Sequence, residues 1–423
     1  MPSLRAQTNE RPNHHFCVHR KPNRERNATM NELDHFRDEV QTFLAEHLTA
    51  ELQRAGRLEA GIYAERPVAE AWLKILDQKG WAVPSWPTEW GGTDWSAEQH
   101  AIWQQELTLA SAPSIPPNGI KMVAPAIMHY ATDAQKSHYL PRIRQGIDWW
   151  AQGYSEPGAG SDLASLKCAA VRDGDDYILN GTKIWTTHAH CCNKMFCLVR
   201  TDDSGPPQQG ITFLLFDLDR PGINIQPIIS MSGDHEFNQV FFDDARVPVT
   251  GRLGTENDGW SVAKYLLTHE RAGKSATGMM MKVAQLRKFL TEHAIQGFDL
   301  MSDEHYVAAL STLEIELESY VAFENRVFAS VTAGESVGTV SSVLKIRRTE
   351  LRQHIDALVL EAVDYYGLPY QPNVRDFPNP EIPISSETAA TAMPRYLNDR
   401  AATIYAGSNE IQRNILAKRE LGL

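Results

Sequence analysis

The 423-residue sequence lacks any apolar run of about twenty residues, the length that a helix needs to cross a bilayer. It also lacks basic excess, since 53 acidic residues outnumber 41 Lys and Arg and leave a net charge of −12. Nucleic-acid surfaces need clustered cations. The five cysteines are odd in number and irregularly spaced, which predicts free thiols in a reducing compartment. We therefore expect a cytoplasmic protein with no membrane or nucleic-acid partner.

The sequence does contain what a large enzyme needs. Its length exceeds the size at which one hydrophobic core keeps growing, so we expect several subdomains with room for a buried cofactor. The run His188-Ala189-His190-Cys191-Cys192 carries side chains that ligate zinc, but no second group of ligands completes such a site. We interpret the run as an incidental cluster and predict no metal.

The first residues differ from the rest in composition. Residues 1–29 are rich in arginine, contain three prolines and show little apolar periodicity, so this basic arm is predicted to be disordered. A transit peptide and an extended start ahead of Met30 both remain open. The periodicity that follows predicts three domains: a helical domain over 30–150, a β-barrel domain over 151–255 and a four-helix bundle over 256–423.

Runs of β-branched and aromatic residues define the middle domain. Four strands are predicted, around 177–179, 195–199, 211–216 and 240–242. Turns are predicted at 173–175, at Asn180-Gly181 and at 221–222, and such tight connections favour an antiparallel sheet. The bundle is predicted from helical segments at 261–296, 302–333, 338–366 and 387–421, with a proline-rich connection before the last one.

Two ordered motifs carry the strongest functional signal. Residues 153–162 read GYSEPGAGSD, a glycine-rich turn whose backbone N–H groups can approach a flat polar ring or a phosphate. Residues 180–187 read NGTKIWTT and present an indole and two threonine hydroxyls, which suit a ring face and a ring nitrogen. In this order and spacing the pair resembles the flavin-binding segments of the acyl-CoA dehydrogenase family, and the resemblance extends over residues 31–423.

The resemblance implies a mainly α fold with a central β-barrel, FAD as cofactor and an acyl-CoA as substrate. It also implies which residues hold the flavin. Ring contacts fall to Tyr154, Ser155, Trp185 and Thr187, the pyrophosphate or pantetheine lies near Ser161, and the ribityl–phosphate portion lies near Ser408 and Glu410. Asn409 and Gln412 are predicted to form a capping-box-like start to the last helix.

The position of the catalytic base departs from the common family pattern. Many members carry a Tyr-Glu-Gly-Thr sequence near the C-terminus, but here the matching stretch reads Tyr405-Ala406-Gly407-Ser408. Other members place the base at a Glu-Arg pair on a mid-chain helix, which matches Glu270-Arg271 here. Because two facing carboxylates would raise each other's pKa, the two departures agree. Glu270 is therefore predicted as the base, against the alternative of an exposed helical carboxylate.

The resemblance also implies how the thioester is held. Its oxygen would be bound by a flavin ribityl hydroxyl and by the backbone N–H at Ala406, beside Gly407, so no glutamate side chain is needed there. Arg271 either helps to shape the substrate site or forms a structural salt bridge.

Two further departures concern the partner subunit. The Arg and Phe-Gly that follow the first bundle helix in the family are replaced by Ala294-Ile295-Gln296-Gly297-Phe298, and the Gly-Gly before the adenine site is reduced to Tyr366-Gly367. Residues 341–345 resemble large subunits of pimeloyl- and steroid-type dehydrogenases. We expect a homo-oligomer, either a dimer or a tetramer, or a heterotetramer with a second chain of this family.

Three function classes follow from these observations. The first is an FAD-dependent acyl-CoA dehydrogenase, an oxidoreductase acting on a CH–CH group, which makes a trans-2-enoyl-CoA and reduces an electron-transfer flavoprotein. The second is a flavin oxidase or monooxygenase on the same fold. The third is a non-catalytic subunit of a heteromeric dehydrogenase or a DNA-associated chain, and the acidic charge disfavours DNA.

Overall fold

The computed structural model describes residues 23–270, 275–292, 294–295, 298–332 and 338–423. The N-terminal domain is helical: α1 Asn23–His47, α2 Ala50–Leu58, α3 Arg66–Lys79, α4 Ala97–Leu109, a π-helix Asn118–Val123, α5 Ala124–Tyr130 and α6 Asp133–Arg144. Helices α4 and α6 each begin with a capping box, in which a Ser or Thr accepts from the third residue of the helix and a Gln accepts from the cap.

Part of the predicted basic arm lies within the described residues. Residues 23–29, inside the range 1–29, belong to helix α1 Asn23–His47. The prediction of disorder for residues 1–22 lies outside the described residues.

The middle domain is a curved seven-stranded sheet that forms a half-barrel. Its strands are β1 Trp150–Gly153, β2 Ala169–Asp173, β3 Asp176–Lys183, β4 Lys194–Arg200, β5 Ile211–Asp217, β6 Ile223–Ile229 and β7 His235–Pro248. The spatial order is β1-β4-β2-β3-β7-β6, and β5 also pairs with β4. The four predicted strands are confirmed as β3, β4, β5 and β7.

Two expectations for this sheet were wrong. Strand β4 pairs in parallel with β1 and β2, because the chain crosses over before it returns, so the sheet is mixed. Asn180-Gly181 is not a turn but a bulge within β3, where the register against β7 shifts. A Cβ at Gly181 would lie 2.7 Å from Cys168 Cα, so the close approach of β2 requires glycine there.

The C-terminal domain is helical, with α7 Gly259–Glu270, α8 Ala276–Glu292, α9 Glu304–Thr332, α10 Val340–Val363, α11 Glu387–Asn398 and α12 Asn409–Glu420, and a short hairpin of β8 Ala294–Ile295 and β9 Phe298–Asp299. The segments predicted at 261–296 and 387–421 are each two helices, because periodicity alone does not detect the break between them. Among the described residues no helix is both long and apolar enough to cross a membrane.

Three apolar cores hold these layers together. The first joins the N-terminal helices and α7 to one face of the sheet through Phe196, Leu198 and Phe213. The second occupies the opposite face, where the alternating residues Met195 and Cys197 of β4 point. The third lies between α8, α9, α10 and α11, which form the bundle. Helical, β and helical domains therefore follow one another, as the sequence predicted.

A carboxyl group marks the contact between the N-terminal and C-terminal domains. Glu59 follows α2 and accepts a hydrogen bond of 2.7 Å from Ser114 N. Its backbone oxygen accepts from Arg395 Nε of α11 at 2.9 Å. Burial at this contact raises the pKa of the Glu59 carboxyl from 4.5 to about 7.

The raised pKa of Glu59 makes stability depend on pH. The protonated group fits the folded chain, so its contribution is present below pH 4.5 and is lost as pH rises through about 7. Glu59→Gln keeps the acceptor for Ser114 N. Relative to the wild type, its free energy of unfolding should increase by about 2 kcal/mol between pH 5.5 and pH 8. Urea unfolding at both pH values measures this difference. The control is Glu70→Gln, which replaces an exposed carboxylate of α3. Equal differences at both pH values would contradict the assignment.

Candidate functional site

The two motifs lie side by side at the end of β1. Tyr154 is buried, with its ring 5.8 Å from that of Phe196 and 6.3 Å from that of Phe213, both edge-on. The next residue, Ser155, accepts a backbone hydrogen bond of 2.9 Å from Ile184 N. The glycine-rich turn is thereby paired with the segment that carries Trp185.

A buried ion pair fastens the two motifs. Lys183 is fully buried, and its Nζ donates to Glu156 Oε1 at 2.7 Å and to Tyr154 O at 3.2 Å. The Glu156 carboxylate also accepts from Lys167 N at 2.6 Å and from Cys168 N at 2.9 Å. Buried charges of this kind are held only where partners satisfy them. Lys183 and Glu156 both lie within the two sequence motifs, but the sequence predicted no role for either.

The glycine-rich turn is tight but open to the outside. Glu156 and Ala159 exchange backbone hydrogen bonds of 2.9 and 3.0 Å across it. A Cβ built on Gly158 or Gly160 would meet no atom within 4 Å beyond its own chain neighbours. A recess of about 740 Å³, open to solvent, lies beside Gly158 and Thr182. Packing within the described chain therefore does not explain these two glycines.

The indole segment adopts an unusual backbone. Trp185 has φ of 58°, which is uncommon for a residue other than glycine, and 59% of the side chain is exposed. The strand β7 fixes this turn, since Asn238 O accepts from Thr186 N at 3.0 Å and Asn238 Nδ2 donates to Thr186 O at 3.0 Å. The turn therefore presents an aromatic surface to the outside, with the ring of Phe237 perpendicular to the indole and 6.1 Å away.

Threonines flank the exposed indole on its C-terminal side. Thr186 is buried, and its Oγ1 makes no hydrogen bond within the described residues. Thr187 is partly buried and lines a cavity between the sheet and the N-terminal helices. An unsatisfied buried hydroxyl is costly, so Thr186 indicates a polar partner that the chain itself does not supply.

Three histidines, His188, His190 and His235, cluster next to the turn that carries Trp185. Burial lowers the pKa of His188 to about 4, so this imidazole is neutral at physiological pH. His190 stacks on His235 at 3.7 Å, and Asn238 bridges the two rings with contacts of 3.1 and 2.8 Å. Within the described ranges no group of three His, Cys, Asp or Glu side chains is arranged to hold a metal.

The C-terminal loop presents backbone rather than a carboxylate. Ala406 and Gly407 both have positive φ, of 53° and 80°, and Ala406 is exposed. In the described part of the chain the Ala406 N–H makes no hydrogen bond. Ser408 is the N-cap of α12 and accepts from Ile411 N at 3.3 Å. The exposed Glu410 follows, and local hydrogen bonds at this helix start lower its pKa.

The capping box predicted from Asn409 and Gln412 was wrong. Ser408 caps the helix, while Asn409 Oδ1 accepts from Lys345 Nζ at 2.8 Å and Gln412 Oε1 accepts from Ser342 at 2.8 Å. Both side chains are buried and tie α12 to α10. Sequence alone favours Asn at a cap, and only the packing of α12 on α10 redirects it.

The predicted base lies on a helix that packs against the sheet. Helix α7 contacts β5, the π-helix and α5, and its Leu266 and Ala263 are buried in the first core. The side chain of Glu270 and the whole of Arg271 lie outside the described residues. Both assignments stay predictions.

Glu236 connects all three domains and was missed by sequence reasoning. It accepts from Ile62 N of the N-terminal domain and, at 2.6 Å, from Asn398 Nδ2 of the C-terminal domain. Its backbone oxygen accepts from His188 N at 2.9 Å. Burial raises the pKa of the Glu236 carboxyl. A glutamate within a strand pattern gives no signal of such a role.

The predicted site residues thus fall into two groups. Tyr154, Ser155, Trp185 and Thr187 lie together at one edge of the sheet, and Ser161 is exposed on the adjoining turn. Ala406, Gly407, Ser408 and Glu410 lie together at the start of α12. No direct hydrogen bond within the described ranges joins one group to the other.

Removing the buried ammonium tests whether the ion pair holds the turn. Lys183→Met leaves Glu156 buried and unpaired, so we expect a loss of about 3–5 kcal/mol in the free energy of unfolding. Denaturant unfolding measures this loss. The control is Lys167→Met, which removes an exposed ammonium from a residue whose backbone N–H donates to the same Glu156 carboxylate. A loss below about 1 kcal/mol, the value of a surface pair, would contradict the role.

Matches to known protein families extend over almost the whole chain. Three family models match: the acyl-CoA dehydrogenase N-terminal domain over residues 30–147, the middle domain over 151–245 and the C-terminal domain over 257–421. Acyl-CoA dehydrogenase IpdE1 of Mycobacterium tuberculosis is 35% identical over 404 residues, which cover 93% of this chain and 98% of that protein.

Solved structures agree with the sequence matches. The ChsE4-ChsE5 complex from Mycobacterium tuberculosis contains a chain that is 30% identical, with a TM-score of 0.76 over 93% of this chain and 97% of that one. The Tcur3481-Tcur3483 steroid ACAD has a TM-score of 0.79 at 26% identity, over 96% of this chain and 98% of that one. From its ordered domains, its paired motifs and these matches, the chain belongs to the acyl-CoA dehydrogenase family.

Proposed function

We propose that this chain oxidises an acyl-CoA thioester to the trans-2-enoyl-CoA, with Glu270 as the base and FAD as the cofactor. The α C–H bond breaks and gives its proton to the Glu270 carboxylate, the electron pair of that bond forms the second Cα–Cβ bond, and the β C–H bond breaks with loss of hydride. FAD, when bound, would supply the two-electron acceptor for that hydride at N5. An electron-transfer flavoprotein would accept the two electrons from the enzyme.

One observation carries the assignment of the base. Position 406 holds a methyl side chain where many members of the family hold a glutamate. A proton acceptor must therefore come from another element, and α7 carries Glu270 in the Glu-Arg pair that serves this purpose in other members. A carboxylate beneath an acyl chain and a flavin loses water, which raises its pKa towards that of the acidified α-proton.

The described residues fit a flavin. The exposed indole of Trp185 can cover one ring face, and Thr187 can donate to a ring nitrogen. The buried Thr186 hydroxyl needs a polar partner, and Gly158 and Gly160 leave room for a close approach. Tyr154 and Ser155 would border the ring, and Ser161 would lie towards the pyrophosphate or pantetheine.

The start of α12 suits the anionic portion of the cofactor. Backbone N–H groups at a helix N-terminus favour phosphate, and Ser408 adds a hydroxyl at that point. Glu410 would contact the ribityl portion. The backbone N–H of Ala406, beside Gly407, would donate to the thioester oxygen as negative charge develops there. Arg271 would help to shape the substrate site.

The oligomer is proposed to supply further cofactor contacts. The hairpin of β8 and β9 carries no arginine at its described positions, and Tyr366-Gly367 replaces a glycine pair. The side chains of Tyr365, Tyr366 and Tyr370 are more than half exposed in this region. One similar structure is the ChsE4-ChsE5 complex, and another, Tcur3481-Tcur3483, is likewise named for two chains. A heterotetramer with a second chain of the family, or a homo-oligomer, would cover this surface.

The substrate is proposed to be a branched, dicarboxylic or ring-bearing acyl-CoA. Moving the base from position 406 to α7 frees volume on one side of the acyl chain. One similar structure is titled a steroid ACAD, which supports a bulky acyl group. The alternative is a non-catalytic subunit of a heteromeric dehydrogenase, which the intact flavin-binding motifs disfavour.

The fit of the glycine-rich turn to FAD predicts a separation of binding from stability. Gly158→Val adds a side chain whose Cβ meets no protein atom within 4 Å beyond its chain neighbours, so the melting temperature of the cofactor-free chain should change little. Flavin affinity should fall at least about tenfold, because the added methyls occupy the approach to the turn. Fluorescence titration with FAD measures the affinity. Unchanged affinity would contradict the placement of FAD here.

Replacing the base tests the chemistry directly. Glu270→Gln should leave flavin bound but abolish bleaching of the flavin by acyl-CoA under anaerobic conditions, because the amide cannot accept the α-proton. Stopped-flow absorbance measures the rate, with the exposed Glu318→Gln on α9 as control. Near-normal reduction by the variant would rule out Glu270 as the base. Absence of reduction in the wild type and in both variants would favour the non-catalytic subunit.

A further inference from the structure

The π-helix Asn118–Val123 carries an exposed lysine among buried neighbours. Ile120, Met122 and Val123 are all buried in the first core, whereas solvent reaches the side chain of Lys121. Single π-helical turns are rare, and they occur often at functional sites. Here the turn carries an exposed cation.

Lys121 is unpaired in the part of the chain that the structure describes. No hydrogen bond or ion pair there involves its ammonium, whereas the ammonium groups of the buried Lys183 and Lys345 and of the partly buried Lys282 have oxygen acceptors at 2.7–2.8 Å. Surrounding protein removes enough water to lower the pKa of Lys121. The ammonium is therefore partly dehydrated although solvent reaches it.

Helix packing shows which elements lie near Lys121. Helix α7 contacts both the π-helix and α5, which follow one another without a break. Near the start of α7, Val262 and Tyr130 both lie within 4 Å of a Cβ built on Gly254. The Tyr265 ring stacks on that of His129 at 4.6 Å. The early turns of α7 therefore lie beside the end of α5.

The two helical segments consequently run in opposite directions. Each residue advances about 1.5 Å along a helix, so the five residues after Tyr265 carry α7 about 7 Å back towards the π-helix. The backbone of Glu270 lies at that end of α7. Lys121 and the predicted base therefore belong to neighbouring turns of two packed helices.

We propose that Lys121 binds an acceptor oxygen that the acyl group carries away from its thioester, most strongly a carboxylate. This inference rests on the proposed function, because it places the acyl group beside Glu270. An ammonium offers three hydrogen-bond donors. A charge-assisted hydrogen bond to a partly dehydrated ammonium is stronger than one in bulk water. A plain hydrocarbon chain would leave the ammonium desolvated and unpaired, which disfavours it.

A matched set of substrates tests the proposal. The probes are three acyl-CoA thioesters of equal chain length, ending in a methyl group, a ketone or a carboxylate. They are compared on the FAD-loaded protein, copurified with any partner chain. The variants are Lys121→Met, Lys121→Arg and, as control, Lys74→Met on the exposed side of α3. Dissociation constants come from titration calorimetry and kcat/KM from flavin reduction.

The expected result is a change in selectivity. Lys121→Met should lower the preference for carboxylate over methyl about 10- to 100-fold in affinity, with a smaller loss for the ketone. Lys121→Arg should retain most of the preference, and Lys74→Met all of it. Equal loss for all three thioesters would overturn the proposal and assign Lys121 to folding or to the base itself. An unchanged ratio in Lys121→Met would also overturn it.

The binding data separate this inference from the proposed function. If the wild type binds the thioesters but reduces no flavin with any of them, the proposed reaction fails, while the ratio of dissociation constants still tests Lys121. If flavin is reduced but the wild type binds the methyl-ended thioester as tightly as the carboxylate, the inference about Lys121 fails alone.

Discussion

The buried pair of Lys183 and Glu156 is the interaction on which the candidate flavin site depends. One ammonium ties the glycine-rich turn to β3, and the carboxylate that it neutralises also satisfies two backbone N–H groups beyond the turn. Because a buried charge without its partner is so unfavourable, the two motifs are locked in one relative position. Tyr154, Ser155 and the exposed indole of Trp185 are thereby preorganised at one edge of the sheet before any cofactor arrives.

The domains are joined by polar contacts as well as by apolar cores. Glu236 receives hydrogen bonds from the N-terminal and C-terminal domains, and Glu59 lies where α2 meets α11. Both carboxyl groups have raised pKa values because the junctions exclude water. Helix α7 packs both on β5 of the sheet and on the π-helix that carries Lys121. A substrate bound beside α7 would therefore contact residues of all three domains.

Local patterns predicted most of the fold, and tertiary contacts explain what they missed. Runs such as Met195–Val199 identify strands because β-formers fill a doubly buried layer, whereas Asn180-Gly181 has the composition of a turn and is a bulge that only the approach of β2 explains. Lys183 and Glu236 escaped assignment because a charged residue gives no sequence signal of burial. The family motif predicted which residues bind the flavin. The prediction of Glu270 as the base depends on that resemblance and on the missing carboxylate at position 406.

The most direct test of the proposed dehydrogenation is a mass balance on a single turnover. FAD-loaded protein is mixed anaerobically with one equivalent of a saturated acyl-CoA, and the loss of flavin absorbance is compared with the thioester recovered by mass spectrometry. The account predicts that enoyl-CoA, lacking two hydrogens, forms in equal amount to the reduced flavin. Recovery of only saturated thioester while the flavin stays oxidised, across straight, branched, dicarboxylic and ring-bearing substrates, would contradict it.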